Sequence, residues 1–459
     1  MLGASAAGLA RALPLRQSYA EPASKEYRLA ARTATVNLTG GGTMDTAVWA
    51  YEGTVPGPEL RVRRGQPVRI TVVNKLGEDT TVHWHGIRLP NAMDGVPGLT
   101  QKPIRPGESF VYEFTPPDAG TFWYHPHADT LQQLGHGLAG ALIVEEAEPV
   151  PGIDRDLLWF IEDWRLDDKG RIAGGFGNRM ETGMSGRIGN TVTINGRVPN
   201  AVPVGTGERV RLRLVNATLA RIVGLRFDGH NPVVVAYDGQ PCEPHSPEGG
   251  RVVLGPAMRA DLIIDMTGKP GQSYRVIDDF YQDLAYKFVD LAYDPGKSAR
   301  ELRSDPPARL PDNPLPEPDL ATAERHEIAL QGGMMGGMGM MGGGMMGGMG
   351  MMSHDGATWA MNGMSMTGDG HPKMPPLFTI QHGNTAFWRC GTTPRGGTRC
   401  TYMGTALGSS AGTALRTLAE NGATRFLSRH ARVPAWPSSP TTPATGCSTA
   451  TSPITRRPG

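Results

Sequence analysis

At 459 residues the chain is too long for one ordinary domain and suits about three of 100–200 residues, so repeated cores are expected. Hydrophobic residues make up 39% and mean hydropathy is −0.31, values of a soluble globular protein, and no stretch is apolar enough for long enough to span a bilayer. The net charge of +1 gives no general case for nucleic acid or an anionic membrane.

That neutrality hides an imbalance. From residue 390 onward there are eight Arg, no Lys and one Glu, a charge of +7, while the first 389 residues hold 37 basic and 43 acidic groups, a charge of −6. Three of the four cysteines, Cys390, Cys400 and Cys447, lie in the same tail; with Cys242 they show no CxxC spacing and make no disulfide scaffold.

Met1 to Ala20 is small-residue-rich and mildly apolar, and reads either as the end of an export signal whose basic start is missing or as a disordered terminus. From about residue 27 the text turns to short β-branched runs broken by Gly, Pro and Asn, the pattern of an all-β sandwich or barrel. Within it Gly65 to Asn74 (GQPVRITVVN) matches Gly207 to Asn216 (GERVRLRLVN), each a turn glycine feeding a strand with one buried face. The copies lie 142 residues apart, which fits two successive sandwich domains. A third copy begins at Gly383, keeps Ala386 and Trp388 in step, and then breaks off. Residues 301–352 are expected to be a linker that buries no core, first Pro-rich and then a Gly-rich run holding ten Met. The predicted division is a leader over 1–26, sandwiches over 27–148 and 149–300, the linker over 301–352, the start of a third sandwich over 353–389, and an off-pattern tail over 390–459.

The chemistry concentrates in His83-Trp84-His85 and His125-Pro126-His127. Positions i and i+2 of a strand share a face, so each pair presents two imidazoles side by side, as a metal clamp does. Twelve His in 459 residues give by composition roughly a third of one such pair, so two within 45 residues are not expected by chance. Neutral imidazole suits copper, zinc, iron or nickel, and spacing alone does not choose among them.

The stretch HWHGIRLPNAMDGVPGLTQKPIRPGESFVYEFTPPDAGTFWYHPH resembles the first cupredoxin domain of the multicopper oxidases, the family of laccases, copper-efflux oxidases and copper-resistance oxidases. INGRVPNAVPV, FDGHNPVVVAYDGQP and LGPAMRADLIID resemble the middle domain of its three-domain members, so the resemblance covers most of residues 27–389. It implies tandem cupredoxin-like Greek-key β-sandwiches and a trinuclear copper cluster at which O2 is reduced to water. It also implies that His83 binds the type 2 copper and that His85, His125 and His127 bind the type 3 pair. Asp94 matches an acidic residue near that cluster and is either a proton relay or the turn residue before Gly95. His136, His230, His245 and His382 match no liganding position and are read as surface or packing residues.

The Met run offers soft thioether sulfur, which prefers Cu(I). Met334, Met335, Met338, Met340, Met341, Met345, Met346, Met349, Met351 and Met352 are read either as capturing cuprous ions near the site or as low-complexity drift.

A complete family member carries HPxHLHG and HCHxxxH in its third domain, and neither is in this chain, which leaves no type 1 copper site and half of the trinuclear ligands. A shift of reading frame accounts for both. Taking the last base of each codon with the first two of the next, Cys390 to Ala406 permits MRNDTAWWHPMHLHGHS, and Thr442 to Gly459 permits NPGDWMLHCHIPDHQAAG. Met403 has a single codon and forces the glycine of HLHG, and the shifted asparagine falls nine places after Gly383, restoring the third repeat. The tail is accordingly expected to be disordered and to leave the third sandwich with an open edge. For the lineage the resemblance implies copper-dependent oxidation of phenols or Cu(I) coupled to O2 reduction, in the periplasm, cell envelope or outside the cell, by a monomer with no nucleic-acid partner. The rivals are a non-catalytic copper-buffering protein, which suits the literal chain, and structural zinc in the HxH pairs.

Overall fold

The computed structural model describes residues 23–40, 44–183, 185–296, 300–315, 319, 321–332, 359–365, 377–380, 385–392, 399–405 and 414–417. Almost every described element is a strand, and none of the described helices is long and apolar enough to cross a membrane. The first sandwich holds β1 (Lys25–Val36), β2 (Thr46–Tyr51), β3 (Gly57–Arg63), β4 (Val68–Asn74), β5 (His83–His85), β6 (Ser109–Phe114), β7 (Gly120–His125) and β8 (Gly140–Glu145). Its sheets, β2-β1-β4-β6 and β3-β8-β7-β5, close on one core that includes Leu29, Ile70, Val72, Trp84, Tyr112 and Leu142.

The second sandwich holds β9 (Arg155–Trp164), β10 (Thr191–Ile194), β11 (Ala201–Val204), β12 (Arg209–Asn216), β13 (Val223–Phe227), β14 (Val233–Tyr237), β15 (Gln240–His245), β16 (Arg251–Leu254), β17 (Arg259–Asp265), β18 (Ser273–Asp278) and β19 (Tyr286–Tyr293). They form sheets β10-β9-β12-β17-β14-β15 and β11-β19-β18-β13-β16. A third sheet, β22-β21-β20-β23-β24-β25, is built from β20 (Glu324–Gly332), β21 (Trp359–Met361), β22 (Met364–Ser365), β23 (Thr385–Thr392), β24 (Arg399–Thr405) and β25 (Ala414–Thr417).

The Gly-to-Asn repeat has one structural meaning in all three places. Its strand runs parallel to the first strand of its own sheet: Lys25 opposite Val68, Arg155 opposite Val210, and Glu324 opposite Ala386. In the first two copies the asparagine ends the strand. Asn74 Nδ2 donates to the carbonyls of Glu78 and Ile104, and Asn216 Nδ2 donates to those of Arg221 and Leu254. Both asparagines are fully buried, and each amide ties the end of its strand to carbonyls of the neighbouring turns. The third copy has Thr392 at this position.

Three expectations need correction. First, β20 lies inside the stretch read as linker; because Leu330 pairs with Met361 and Gly332 with Trp359, the Met/Gly run is an insertion between two adjacent strands of the third sheet. Second, the Pro-rich part does enter a core. Leu310 is buried with Val235, Ala236 and Ile263, and Asn313 bridges the two sandwiches, receiving the Ala119 N–H and donating to the carbonyls of Ala119 and Gly239. An extended Pro-rich strap has no internal hydrogen bonds to lose, so a few well-placed side chains suffice to dock it. Third, the described part of the tail contains strands. Residues 390–392 continue β23, β24 pairs antiparallel to it with Cys390 opposite Cys400, and β25 follows, covering an edge that had been expected to stay open. The rest of the tail lies outside the described residues.

The two sandwiches meet along a continuous seam. Trp123, Ala139, Ala141 and Ile143 pack against Phe160, Val215 and Ala217, and Trp164 packs against Leu38, Val48, Ala50 and Val55. Here the alternation of β12 misleads, because its polar positions are buried as well. Arg211 and Arg213 point at the first sandwich and share Asp261, with Glu146 and Asp156 as further partners, and Thr121 Oγ1 donates to Asp261 at 2.6 Å. Burial alone would raise the Asp261 carboxyl; the two guanidinium groups outweigh it and hold the acid below its ordinary range.

Candidate metal centre

Strand β5 is three residues long and pairs antiparallel with β7, which places His83 directly opposite His125 and His85 opposite Trp123. His83 and His85 share one face, as the alternation requires, while Trp84 points the other way into the core against Tyr112, Phe114 and Tyr124. The second pair is built differently from the expectation. His125 is the last residue of β7 and Pro126, with no N–H to continue the ladder, ends the strand. His127 therefore reaches the site from a loop, its backbone N–H held by Thr81 Oγ1 at 3.2 Å.

All four rings nevertheless converge. Ring centroids are 5.7 Å apart for His83 and His85, 5.4 Å for His83 and His125, 5.2 Å for His83 and His127, and 5.5 Å for His85 and His125. One nitrogen from each of His83, His85 and His125 lies within 4.8 Å of the others, and all three residues are buried. Two imidazoles on a shared ion, each about 2 Å from it, have nitrogens at most about 4 Å apart, so the trio needs only a slight contraction to close on a metal.

The tautomers favour a metal. His83 Nδ1 is 2.8 Å from the Asp94 carbonyl and 3.3 Å from its carboxylate, and His125 Nδ1 is 2.9 Å from the Pro126 carbonyl. Each Nδ1 therefore carries the proton and Nε2 keeps its lone pair, the outer hydrogen bond that orients a liganding histidine. His85 Nδ1 faces His125 Nε2 at 3.3 Å, and His85 Nε2 has no protein partner although it is buried. Burial lowers the pKa of His85 well below the ordinary value, helped by Arg259 and the other histidines. Burial and the neighbouring His83 and His127 do the same to His125, so both rings are neutral at pH 7. Buried, neutral, convergent imidazoles with an unused lone pair fit a late first-row metal ion.

Asp94 is brought to the site by backbone geometry. Gly95 has φ +80° and a Cβ there would stand 1.8 Å from the Val82 carbonyl oxygen, so only glycine lets this loop press against the start of β5 and lay Asp94 on His83. Trp123 packs at a tilt against the site from the seam, its ring centroid 4.3 Å from His125 and 5.0 Å from His85.

The other histidines sit elsewhere. His136 stacks between Trp49 and Phe176, His230 meets the Tyr293 hydroxyl, and His245 Nδ1 donates to the Glu243 carbonyl. His382 and the ten methionines of the run lie outside the described residues. Cys242 packs against the core of the second sandwich, and burial pushes its thiol up to about 12.

Sequence reasoning missed Arg259 and Glu162. Arg259 is the single cation of the LGPAMRADLIID stretch and opens a strand, RADLIID, whose every residue but the last is buried; Glu162 ends the apolar run of β9 beside a second acid. Each is a charge in a run that reads as core, and that conflict is the available signal.

Tandem cupredoxin-like sandwiches with a buried histidine cluster at their junction define the class. A multicopper oxidase family profile matches residues 32–149 and a second matches residues 156–288. The crystal structure of a multi-copper oxidase from Pseudomonas thermotolerans superposes with a TM-score of 0.69 at 32% identity, covering 81% of this chain and 82% of that one. Copper resistance protein A of Escherichia coli is 29% identical over 325 residues, 61% of this chain and 52% of its own length. Laccase-1 of Botryotinia fuckeliana is 32% identical over 265 residues, 55% of this chain and 45% of its own. This chain belongs to the multicopper oxidase family. It spans about half the length of the curated relatives it matches.

Proposed function

We propose that the protein descends from, and in its intact form is, a copper-dependent oxidase that couples oxidation of Cu(I) or phenols to the four-electron reduction of O2 to water in copper tolerance. The observation that carries this reading is the trio of buried imidazoles whose nitrogens lie within 4.8 Å across paired strands. His83, His85, His125 and His127 would hold copper, which when bound supplies one-electron redox chemistry.

The chain's own groups do the rest. Asp94 fixes the tautomer of His83, and its carboxylate, with a side chain 21% exposed, touches both that ring and solvent, a position from which protons pass inward. The seam around Trp123 and Phe160 keeps bulk water from the back of the cluster. The test is copper loading of the full chain followed by metal analysis, with oxygen uptake on a phenol and on Cu(I). Retention of copper by wild type and its loss in His85→Ala and His125→Ala is the expected result; equal metal content in all three would refute it.

A second reading is favoured by the absence of HPxHLHG and HCHxxxH from the sequence: the chain as written binds or buffers copper without turnover. Copper retention without oxygen uptake and without a band near about 600 nm, the signature of a blue-copper site, distinguishes it. We further propose that one base is lost, or two gained, near Arg389. The nucleotide sequence across codons 385–459 decides this, since the alternate frame must spell both histidine motifs.

A further inference from the structure

Arg259 opens β17 in the second sandwich, yet its side chain is spent on the first. The residue is 3% exposed. Its Nε donates to the Thr121 carbonyl of β7, and its Nη2 donates to the Asp238 carbonyl while lying so close to Gly86 that a Cβ there would be 2.0 Å away. Gly86 is the residue after His85 and has φ +85°, so the guanidinium fills the space that a side chain at 86 would take, at the back of the His83–His85 strand.

Its electrostatic setting differs from that of its neighbours. Arg211 and Arg213 are neutralised by buried Asp261, with Glu146 and Asp156 adding to it. The carboxylate in direct contact with Arg259 is Asp238, whose side chain is 47% exposed; buried Asp261, already ion-paired to Arg211 and Arg213, acts on Arg259 only through space, and the hydrogen-bond acceptors of the guanidinium are the carbonyls of Thr121, Ala257 and Asp238. A buried cation that faces the cluster with a solvent-screened counter-ion leaves a net positive potential there.

We infer that Arg259 is a positioning residue of the histidine cluster that reaches it from the neighbouring sandwich, braces the turn after His85, and biases the bound metal toward the lower-charged ion, Cu(I) over Cu(II). This rests on the copper reading of the cluster.

The experiment measures Cu(I) and Cu(II) affinities of the full-length protein by competition with chromophoric chelators, for wild type, Arg259→Met, Arg259→Lys and Asp238→Asn. Removing the cation in Arg259→Met shifts the ratio of the two affinities toward Cu(II) by about tenfold. Arg259→Lys keeps the wild-type ratio, and Asp238→Asn, which removes the counter-charge but retains an oxygen acceptor, shifts it toward Cu(I). Parallel weakening of both ions in Arg259→Met and Arg259→Lys, or an Asp238→Asn shift in the same direction as Arg259→Met, overturns the inference and leaves a structural brace. If Arg259→Met fails to fold, the lysine and Asp238 variants still decide. Wild-type protein that binds neither ion refutes the copper reading itself, before any variant is compared.

Discussion

Replacing Glu162 by glutamine should stabilise the protein, and should do so only as the pH rises. Glu162 lies on the same face of β9 as Phe160 and Trp164, between the two apolar clusters of the seam, and its Oε2 has no hydrogen-bond partner. Burial, with the neighbouring Asp163 adding to it, moves its carboxyl from 4.5 to about 8. A group whose folded pKa is raised contributes stability that is complete below the unfolded value and lost as pH climbs through the folded one. The folded protein therefore loses stability between about pH 4.5 and pH 8 and changes little beyond. At pH 7 the native carboxyl is protonated while the unfolded one is ionised. Holding that proton across roughly 2.5 pH units costs about 3 kcal/mol. The amide keeps the shape and carries no charge, so Glu162→Gln should recover about that amount at pH 7 and almost none at pH 4.5. Unfolding melts of the metal-free protein at pH 5 and pH 8 test it, with a difference in Tm near zero at the lower pH and on the order of 5–10 °C at the higher. A stabilisation independent of pH, or a variant less stable than wild type at pH 8, would refute the reasoning.

Gly95→Ala should destabilise by about 3 kcal/mol, because it places a Cβ against the Val82 carbonyl at positive φ; denaturant titration reads the loss, and reduced copper retention should accompany it as Asp94 leaves His83. Asp261→Asn should cost about 3–5 kcal/mol, since it leaves Arg211 and Arg213 buried with less counter-charge; an unchanged melting curve would mean that the seam is hydrated. Asn216→Ala removes the buried amide that donates to the carbonyls of Arg221 and Leu254 and accepts the Thr218 N–H, for an expected loss of about 2–4 kcal/mol by chemical unfolding.

The histidine pairs were legible because two local rules coincide: alternation places His83 and His85 on one face, and two HxH pairs exceed what composition allows. The Gly-to-Asn repeat was legible because the turn glycine and the capping asparagine are both fixed by backbone demands. What stayed hidden was nonlocal. Nothing near Arg211 or Arg213 tells whether the polar face of β12 meets water or another domain, and alternation alone favours water. β20 was overlooked because the repeat marks the second strand of each parallel pair, while its partner, ERHEIALQG, is half polar and adjoins low-complexity sequence. Leu310 and Asn313 sit in a Pro-rich stretch whose docking depends on surfaces far away in the sequence, those of Val235, Ala236, Gly239 and Ile263.

The seam also bears on how such proteins diversify. Gly86, Gly120 and Thr121 from one sandwich meet Arg259, Gly239 and Asp261 from the other, so a recombination breakpoint in the exposed turn near Gly152 would separate partners that must match. A chimera taking its first sandwich from a relative with a larger residue at 86 would drive the guanidinium of Arg259 from its place even if both halves were individually sound. The unit that can be exchanged is the pair of sandwiches with its strap, and the gene boundaries worth cutting lie outside all three.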